Sequence, residues 1–416
     1  MRVKIEKSKA VGTAVAPPSK SIAHRLLIAC ALASGKSEVK GISDSEDMLA
    51  TLDCIKALGV DAQKDGDVVR IRANAKAKNC ECESSVFNDT KSVNNKAIFD
   101  CRESGSTLRF FIPVASVFCD ECEFVGSKRL LERGVGIYEK TLDENGVSVQ
   151  SQKDKIVVSG RLKSGTYTLD GNVSSQYVSG LMFALPLLDG DSKIIVREPV
   201  ESRAYIDLTT DVLKKVGIEI VEEQKNVFSI KGNQKYTCGQ YAVEGDWSNG
   251  AMLLALGEIG GRVDVVGLDE NSVQGDKVCK DIFKKLDDKN AVVDLANCPD
   301  LAPIAFVVAA VKNGATFTGT RRLRIKESDR ATAMAQELEK FGIVVDVHEN
   351  DVVVHKNDIK TPCCDICGHN DHRIVMACSV LLSMTGGYID GAEAVKKSFP
   401  NFFDTIGRLG VKYEVE

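Results

Sequence analysis

Apolar and polar positions along this chain follow two helical patterns and one extended pattern. Runs such as Leu26 to Leu32 and Val178 to Leu188 are apolar nearly all round, which predicts buried helices. A second kind carries a stripe: Met334, Leu338 and Phe341 fall on one side, with Glu337, Glu339 and Lys340 opposite, as in a half-solvated helix. Extended alternation follows, as in Val344-Val345-Asp346-Val347 and Val352-Val353-Val354, with Glu349-Asn350-Asp351 as a hairpin turn. Between helix and strand stands a glycine, in Leu58-Gly59-Val60, Asn145-Gly146-Val147, Val216-Gly217-Ile218, Phe341-Gly342-Ile343 and Leu409-Gly410-Val411. Glycine is the expected residue just past a helix C-terminus. A degenerate sixth ending is predicted at Leu286 to Val293, where that glycine is replaced.

The apolar helices open on polar segments: Ser19-Lys20-Ser21, Gly105-Ser106-Thr107, Ser174-Ser175-Gln176, Asp246-Trp247-Ser248, Pro299-Asp300-Leu301 and Asn370-Asp371-His372-Arg373. One such start precedes each helix ending in register, so the chain reads as six copies of an α/β module. Six units of this size exceed a solenoid period. The predicted fold class is α/β with two similar globular domains of three units each, buried helices inside and strands and amphipathic helices outside. The crossover falls near Gly239-Gln240. A helix start presents unpaired N–H groups and a positive dipole end, which favour anions.

The 416 residues are 44% hydrophobic with a formal net charge of -5. That length suits two or three domains. Net acidity argues against charge-driven nucleic-acid binding, and the Lys and Arg in the helix starts therefore point to a defined anionic ligand. No apolar run approaches the roughly 20 residues that span a bilayer, so a cytoplasmic protein is expected. The 14 cysteines are scattered, and several (Cys30, Cys54, Cys378) sit in apolar runs, so disulfides are not expected. Cys119/Cys122 and Cys364/Cys367 have C-x2-C spacing, with His369 and His372 behind the second pair. Four ligands would have to converge for zinc, and the reading assigns no metal.

The densest chemistry lies in Pro17-Pro18-Ser19-Lys20-Ser21-Ile22-Ala23-His24-Arg25, where a Lys, hydroxyls and an Arg one turn on surround a helix start. Such a set makes a phosphate or carboxylate cradle, or simply a capped helix with solvated charges. Gly105-Ser106-Thr107-Leu108-Arg109 has the same form, its glycine permitting close approach to the backbone. Ser202 and Tyr205 offer neutral hydrogen bonds. In Arg322-Leu323-Arg324-Ile325-Lys326-Glu327-Ser328-Asp329-Arg330, Ser328 is predicted to cap the following helix. Glu327, among cations, would be held ionised until anionic substrates bind beside it.

Pro18-Ser19-Lys20-Ser21 with His24-Arg25, Glu244-Gly245-Asp246, Lys326-Glu327-Ser328-Asp329-Arg330, Asn370-Asp371-His372-Arg373 and Lys397-Ser398-Phe399-Pro400 together resemble the 5-enolpyruvylshikimate-3-phosphate synthase family, in its order and spacing. The resemblance spans essentially the whole chain. It implies an enolpyruvyl transferase-like fold: two domains, each of three βαβαββ units with buried parallel helices and outer mixed sheets, closing over the substrates. Residues 1–19 and 240–416 would form one domain and 20–239 the other, hinged near 19–20 and 239–241. The implied reaction transfers the enolpyruvyl group of phosphoenolpyruvate to the 5-hydroxyl of shikimate 3-phosphate, releasing phosphate through a tetrahedral adduct, with no cofactor and no metal. A cytoplasmic, monomeric enzyme with small-molecule substrates and no nucleic-acid or membrane partner is expected.

By the same resemblance, shikimate 3-phosphate touches Lys20, Ser21, Arg25, Ser174, Ser175 and Gln176, together with Ser202, Asp300 and Lys326, with Tyr205 nearby. Phosphoenolpyruvate touches Lys20, Gly105, Arg133 and Gln176, together with Arg330, Arg373 and Lys397. Asp300 is the implied base for the 5-hydroxyl. Glu327, with Lys20 nearby, is the implied acid for the methylene carbon. The charges suit this: two phosphates and two carboxylates bring about -6, against seven cations at positions 20, 25, 133, 326, 330, 373 and 397.

The chain departs from the family pattern twice. Glu103-Ser104-Gly105 stands where many members, which are targets of glyphosate, have Asn before the glycine segment, and an acidic residue there bears on phosphoenolpyruvate contacts. Arg322 stands where some members place a neutral Asn on the shikimate phosphate. Two rival readings fit less well. A sister enzyme acting on a UDP-amino sugar uses a Cys-bearing mobile loop, and Cys101 lies between Lys96 and Arg109, but the Ser19-Lys20-Ser21 and Lys326-to-Arg330 segments favour shikimate. An RNA-binding module at Arg321-Arg322-Leu323-Arg324 conflicts with the acidic balance and with 6% aromatic residues.

Overall fold

The computed structural model describes residues 1–73 and 97–416. The chain divides into two compact units, one of Met1–Ser19 with Glu244–Glu416 and one of Lys20–Val243. Residues 240–243 were expected with the C-terminal part. They belong instead to the Lys20–Val243 unit, because Gln240–Ala242 is a parallel strand hydrogen-bonded to Gly35–Lys40.

The Lys20–Val243 unit holds three four-stranded sheets of one design. Ala97–Asp100 runs parallel to Glu121–Val125, which pairs antiparallel with Ile156–Ser159, itself antiparallel to Ser148–Ser151. Thr166–Asp170, Ser192–Arg197, Val227–Ile230 and Ile220–Gln224 repeat that order. So do Gln240–Ala242, Gly35–Lys40, Val68–Ala73 and Asp61–Asp65. A parallel neighbour cannot follow through a tight turn and needs a crossover helix. In the second and third copies that helix is Gly105–Phe118 or Ser175–Ala184; in the first, whose leading strand comes from the far end of the unit, Lys20–Leu32 takes its place. These helices are buried almost throughout, and their side chains share one core with the sheets.

The other unit has the same design in two sheets. One is Val292–Asp294, Ala315–Thr318, Asp351–Val354 and Val345–Val347. The other is Ile366–Cys367, Gly387–Asp390, the N-terminal strand Val3–Ile5 and Tyr413–Val415. The remaining module is the degenerate one. Among the described residues its sheet is only Arg262–Val266 against Val11–Val15, and no hairpin forms over Leu286 to Val293. The chain passes from the Cys279–Lys285 helix directly into Val292–Asp294, the first strand of the next sheet. Asp287-Asp288-Lys289-Asn290 offers no alternating apolar face to pair. The buried helices here are Trp247–Glu258, Ala302–Val311 and His372–Thr385, within a separate core.

The five predicted helix-ending glycines all adopt left-handed backbone, at φ 79° for Gly59, 86° for Gly146, 81° for Gly217, 80° for Gly342 and 96° for Gly410. There, glycine avoids the Cβ crowding that disfavours most other residues. Three local expectations are corrected. Ser328 does not cap the Arg330–Lys340 helix; Asp329 does, accepting from the Thr332 N–H at 3.2 Å. Glu337 does not face solvent and is 2% exposed. Cys119 is disulfide-bonded, contrary to expectation, which removes it as a partner of Cys122 for a metal. Among the described residues no group of three or more His, Cys, Asp or Glu could hold a metal ion, and no helix is long and apolar enough to cross a membrane.

Candidate active site

All six polar segments stand where helices start. Five caps are explicit: Ser104 accepts from Thr107 N–H, Ser174 from Gln176, Asp246 from Asn249, Asp371 from Arg373, and Asp329 opens the amphipathic helix at Arg330. Pro299–Leu301 is a tight 3-10 turn leading into Ala302–Val311. The modest caps thus point both backbone N–H groups and neighbouring side chains to the same end of each buried helix.

In the Met1–Ser19 and Glu244–Glu416 unit, these ends build one ion cluster around Arg330, a guanidinium only 1% exposed. Its Nε donates to Asp371 Oδ2 at 2.8 Å, its Nη1 to Asp300 Oδ1 at 2.7 Å, and its Nη2 to Glu327 Oε2 at 2.7 Å. Lys326 Nζ donates to the same Asp300 oxygen at 3.1 Å, and Arg373 Nη2 lies 3.6 Å from the other. Burial pushes the Asp300 carboxyl upward, but Lys326, Arg330 and Arg373 outweigh it and hold the group well below the usual carboxylate range. Burial also lowers Lys326 against the pull of Asp300. Lys397 is nine-tenths buried and donates to the Asn370 carbonyl at 2.6 Å. Arg322 is buried as well, and its charge acts on Lys326.

Three residues here were missed or left without chemistry by the sequence. Asn249, in the first turn after Asp246, accepts from Arg373 Nη1 at 3.4 Å. Ser248, beside it, donates to Asp276 Oδ2. Asp276 is 4% exposed, and its pKa is pushed up to about 6, first by burial and then by the negative charge of Asp300, against Ser248 and Arg373. The Asp246-Trp247-Ser248 start, which the sequence offers only as a helix start, therefore buttresses Arg373 and Asp276. A buried acid so far from its own segment leaves no spacing signal.

The Lys20–Val243 unit gathers the other set, with a different balance. Arg25 is 3% exposed, and its donors go to Thr209 Oγ1 at 2.8 Å, the Ser21 carbonyl at 2.7 Å and the Tyr205 carbonyl at 3.1 Å. Among the described residues it meets no carboxylate, and burial pushes its pKa down to about 10. Arg109 likewise meets neutral acceptors, donating to Gln176 Oε1 at 3.0 Å, to the Gly105 carbonyl at 3.4 Å and to the Gly134 carbonyl at 3.2 Å. Gln176 completes the link by donating to Ser106 Oγ at 2.9 Å. The Arg133 guanidinium lies against Gly105, where an added Cβ would stand 3.1 Å from both Arg133 Nη atoms. Ser174 and Ser175 open the helix that carries Gln176. Ser202 is buried and left-handed at φ 57°, one turn before Tyr205. Lys20 stands apart, bonded to Asp47 at 2.8 Å.

The two sets therefore differ in kind. In one unit the buried Arg25 and Arg109 meet only neutral acceptors among the described residues, an arrangement that favours an incoming anion. The other sets its cations against three carboxylates, Asp300, Glu327 and Asp371. Cys101, by contrast, is fully buried with its thiol pushed well up by burial, unlike the exposed acid the UDP-sugar reading needs; Lys96, at the other end of that loop, lies outside the described residues.

Comparison with known proteins agrees with this geometry. Residues 5–406 match the family model of EPSP synthase (3-phosphoshikimate 1-carboxyvinyltransferase). The chain is 37% identical to the 3-phosphoshikimate 1-carboxyvinyltransferase of Clostridium kluyveri and 38% identical to that of Clostridium acetobutylicum, each over 98% of this chain and 97% of the relative. In fold it is similar to EPSP synthase from Acinetobacter baumannii, with a TM-score of 0.79 at 23% identity over 100% of this chain and 99% of the other. The chain belongs to the EPSP synthase (3-phosphoshikimate 1-carboxyvinyltransferase) family.

Proposed function

We propose that Asp300 and Glu327 carry the two proton transfers of enolpyruvyl transfer, and that the buried cations of both units bind the substrates. Family membership gives the activity: the chain transfers the enolpyruvyl group of phosphoenolpyruvate to shikimate 3-phosphate and releases phosphate. The observation that carries the assignment is that both carboxylates are bonded to one buried guanidinium, Arg330, with Lys326 and Arg373 beside them.

In this reading Asp300 takes the proton of the 5-hydroxyl as that oxygen bonds to C2 of phosphoenolpyruvate. Glu327 delivers a proton to C3, which becomes a methyl group in a tetrahedral adduct. The methyl then returns a proton, the C2–O bond to phosphate breaks, and the enol ether remains. Asp300, held well below the usual carboxylate range, is a weak base while its cations are undivided. Substrate anions that share Lys326, Arg330 and Arg373 raise its proton affinity, and that of Glu327, at the moment of need. Chemistry is thereby coupled to occupancy.

Shikimate 3-phosphate is assigned to Arg25, Ser21, Lys20 and Lys326, with Ser174, Ser175, Gln176, Ser202 and Tyr205 in support. Phosphoenolpyruvate is assigned to Arg133, Gly105, Gln176, Arg330, Arg373 and Lys397, with Lys20 serving both. Arg25 supports the first assignment, as a buried cation bonded, among the described residues, only to neutral oxygens. A monomeric enzyme of the cytoplasm completes the reading; light scattering giving the mass of two chains would contradict the first point. Calorimetric titration of shikimate 3-phosphate into Arg25→Ala tests the binding assignment: a loss of at least about tenfold, roughly 1.4 kcal/mol, is expected, and unchanged affinity would remove Arg25 from the site.

A further inference from the structure

Glu337 is a buried carboxylate outside the proposed chemistry. It lies two turns beyond Arg330 on the Arg330–Lys340 helix, and residues seven apart share a helix face. Its Oε1 meets His369 Nε2 at 2.7 Å, while its Oε2 accepts from the Cys367 N–H at 2.8 Å and from Lys340 Nζ at 2.7 Å. Burial raises the Glu337 carboxyl, but His369, Lys340 and the Cys367 N–H together bring it below its ordinary value. One helix thus grips a single short segment twice, through Glu337 at Cys367 and His369 and through Arg330 at Asp371.

Between the two grips the backbone is strained. His369 at φ 49° and Asn370 at φ 51° are both left-handed without being glycine, a conformation that surrounding contacts must hold in place. The strained conformation has a product: the Asn370 carbonyl is turned to accept from Lys397 Nζ at 2.6 Å, and Asp371 and Arg373 follow directly in the helix start. Gly368 leaves no slack, since a Cβ there would stand 2.7 Å from Val375 Cγ2 and 2.8 Å from the Asp390 carbonyl.

We propose that Glu337 is a positioning residue for phosphoenolpyruvate: by clamping Cys367 and His369 it holds His369 and Asn370 left-handed, and so fixes the carbonyl that anchors the Lys397 ammonium. The inference rests on the assignment of Lys397 to phosphoenolpyruvate. Without the clamp the segment relaxes, the carbonyl turns, and Lys397 loses this hydrogen bond while the shikimate 3-phosphate residues of the other unit are untouched.

The test is steady-state kinetics on the full chain with Glu337→Ala, Glu337→Gln and Lys397→Ala. We expect KM for phosphoenolpyruvate to rise at least tenfold in Glu337→Ala, and less in Glu337→Gln, which keeps an acceptor for Cys367. Calorimetric affinity for shikimate 3-phosphate stays within twofold. In the Glu337→Ala background His369→Gly should recover part of the lost KM, because glycine takes the left-handed conformation without strain. A merely structural role would not respond to that glycine. An unchanged KM in both Glu337 variants, or equal weakening of both substrates without recovery, overturns the clamp. If Lys397→Ala alone leaves the phosphoenolpyruvate KM unchanged, the site assignment fails and the clamp with it; a raised KM there with normal Glu337 variants refutes the clamp only. Should Glu337→Ala not fold, Glu337→Gln with and without His369→Gly carries the same decision.

Discussion

Arg330 offers the sharpest test of how the ion cluster is built. It is 1% exposed and bridges three carboxylates, of which Asp371 is itself fully buried. Arg330→Ala leaves Asp371 with only the Ser328 hydroxyl at 3.0 Å and the Arg373 N–H at 2.9 Å, and leaves Asp300 and Glu327 closer to mutual repulsion. Removing one partner of a buried pair costs about 3–5 kcal/mol, since the remaining charge is stranded in a poorly solvating place. For a unit of this size each kcal/mol moves Tm by about 2–4 °C, so a fall of about 6–20 °C is expected. The chain has one tryptophan, Trp247, buried in the same unit. Its fluorescence therefore follows that unit's melting apart from the other's. Arg330→Lys keeps the charge but cannot span three carboxylates, and should fall between wild type and Arg330→Ala. Arg2→Ala is the control, because Arg2 pairs with Asp365 and Glu416 at 40% side-chain exposure, and exposed pairs contribute about 0–1 kcal/mol. A shift for Arg330→Ala no larger than that for Arg2→Ala would refute the reasoning.

Three other outcomes follow from single contacts. Asp276 holds its proton up to about pH 6 in the folded chain against an ordinary value of 3.8, so stability falls as pH rises through that window and the penalty is complete above it; Asp276→Asn should therefore gain Tm relative to wild type above the window and not below it, and a pH-independent difference would contradict the burial argument. Gly105→Ala places a Cβ 2.7 Å from Arg109 Nη1 and 3.1 Å from Arg133, displacing cations and not backbone; KM for phosphoenolpyruvate should rise while calorimetry shows shikimate 3-phosphate affinity unchanged. Lys20→Ala should weaken both substrates, and a change in only one KM would show that Lys20 does not serve both.

Much of the fold was legible because the repeat is written in local chemistry. A glycine is needed wherever the chain turns left-handed after a helix, so Gly59, Gly146, Gly217, Gly342 and Gly410 mark five modules directly. Polar caps mark the helix starts for an equally local reason. Pairings between distant strands carry no such mark. Val3–Ile5 completing a sheet with Tyr413–Val415, or Gln240–Ala242 joining Gly35–Lys40, depends on which edge lies nearby after folding. The site shows the same division. Asp300, Glu327, Arg330 and Arg373, which the structure brings into one cluster, were singled out through their segments, whereas Asp276 and Asn249 act across the fold on residues from other segments. Glu337 was misread because helical periodicity predicts which face a residue occupies. It cannot predict that a polar face will be covered by a segment bearing a histidine and a free N–H.

The central claim is that Asp300 and Glu327 move protons and do not merely bind. Phosphate release from phosphoenolpyruvate on addition of shikimate 3-phosphate, measured for wild type, Asp300→Ala and Glu327→Ala alongside calorimetric binding, tests it directly. Wild type should release phosphate only when both substrates are present. Both variants should release none while binding shikimate 3-phosphate within about tenfold of wild type, roughly 1.4 kcal/mol. Near-normal release by either variant would contradict the account.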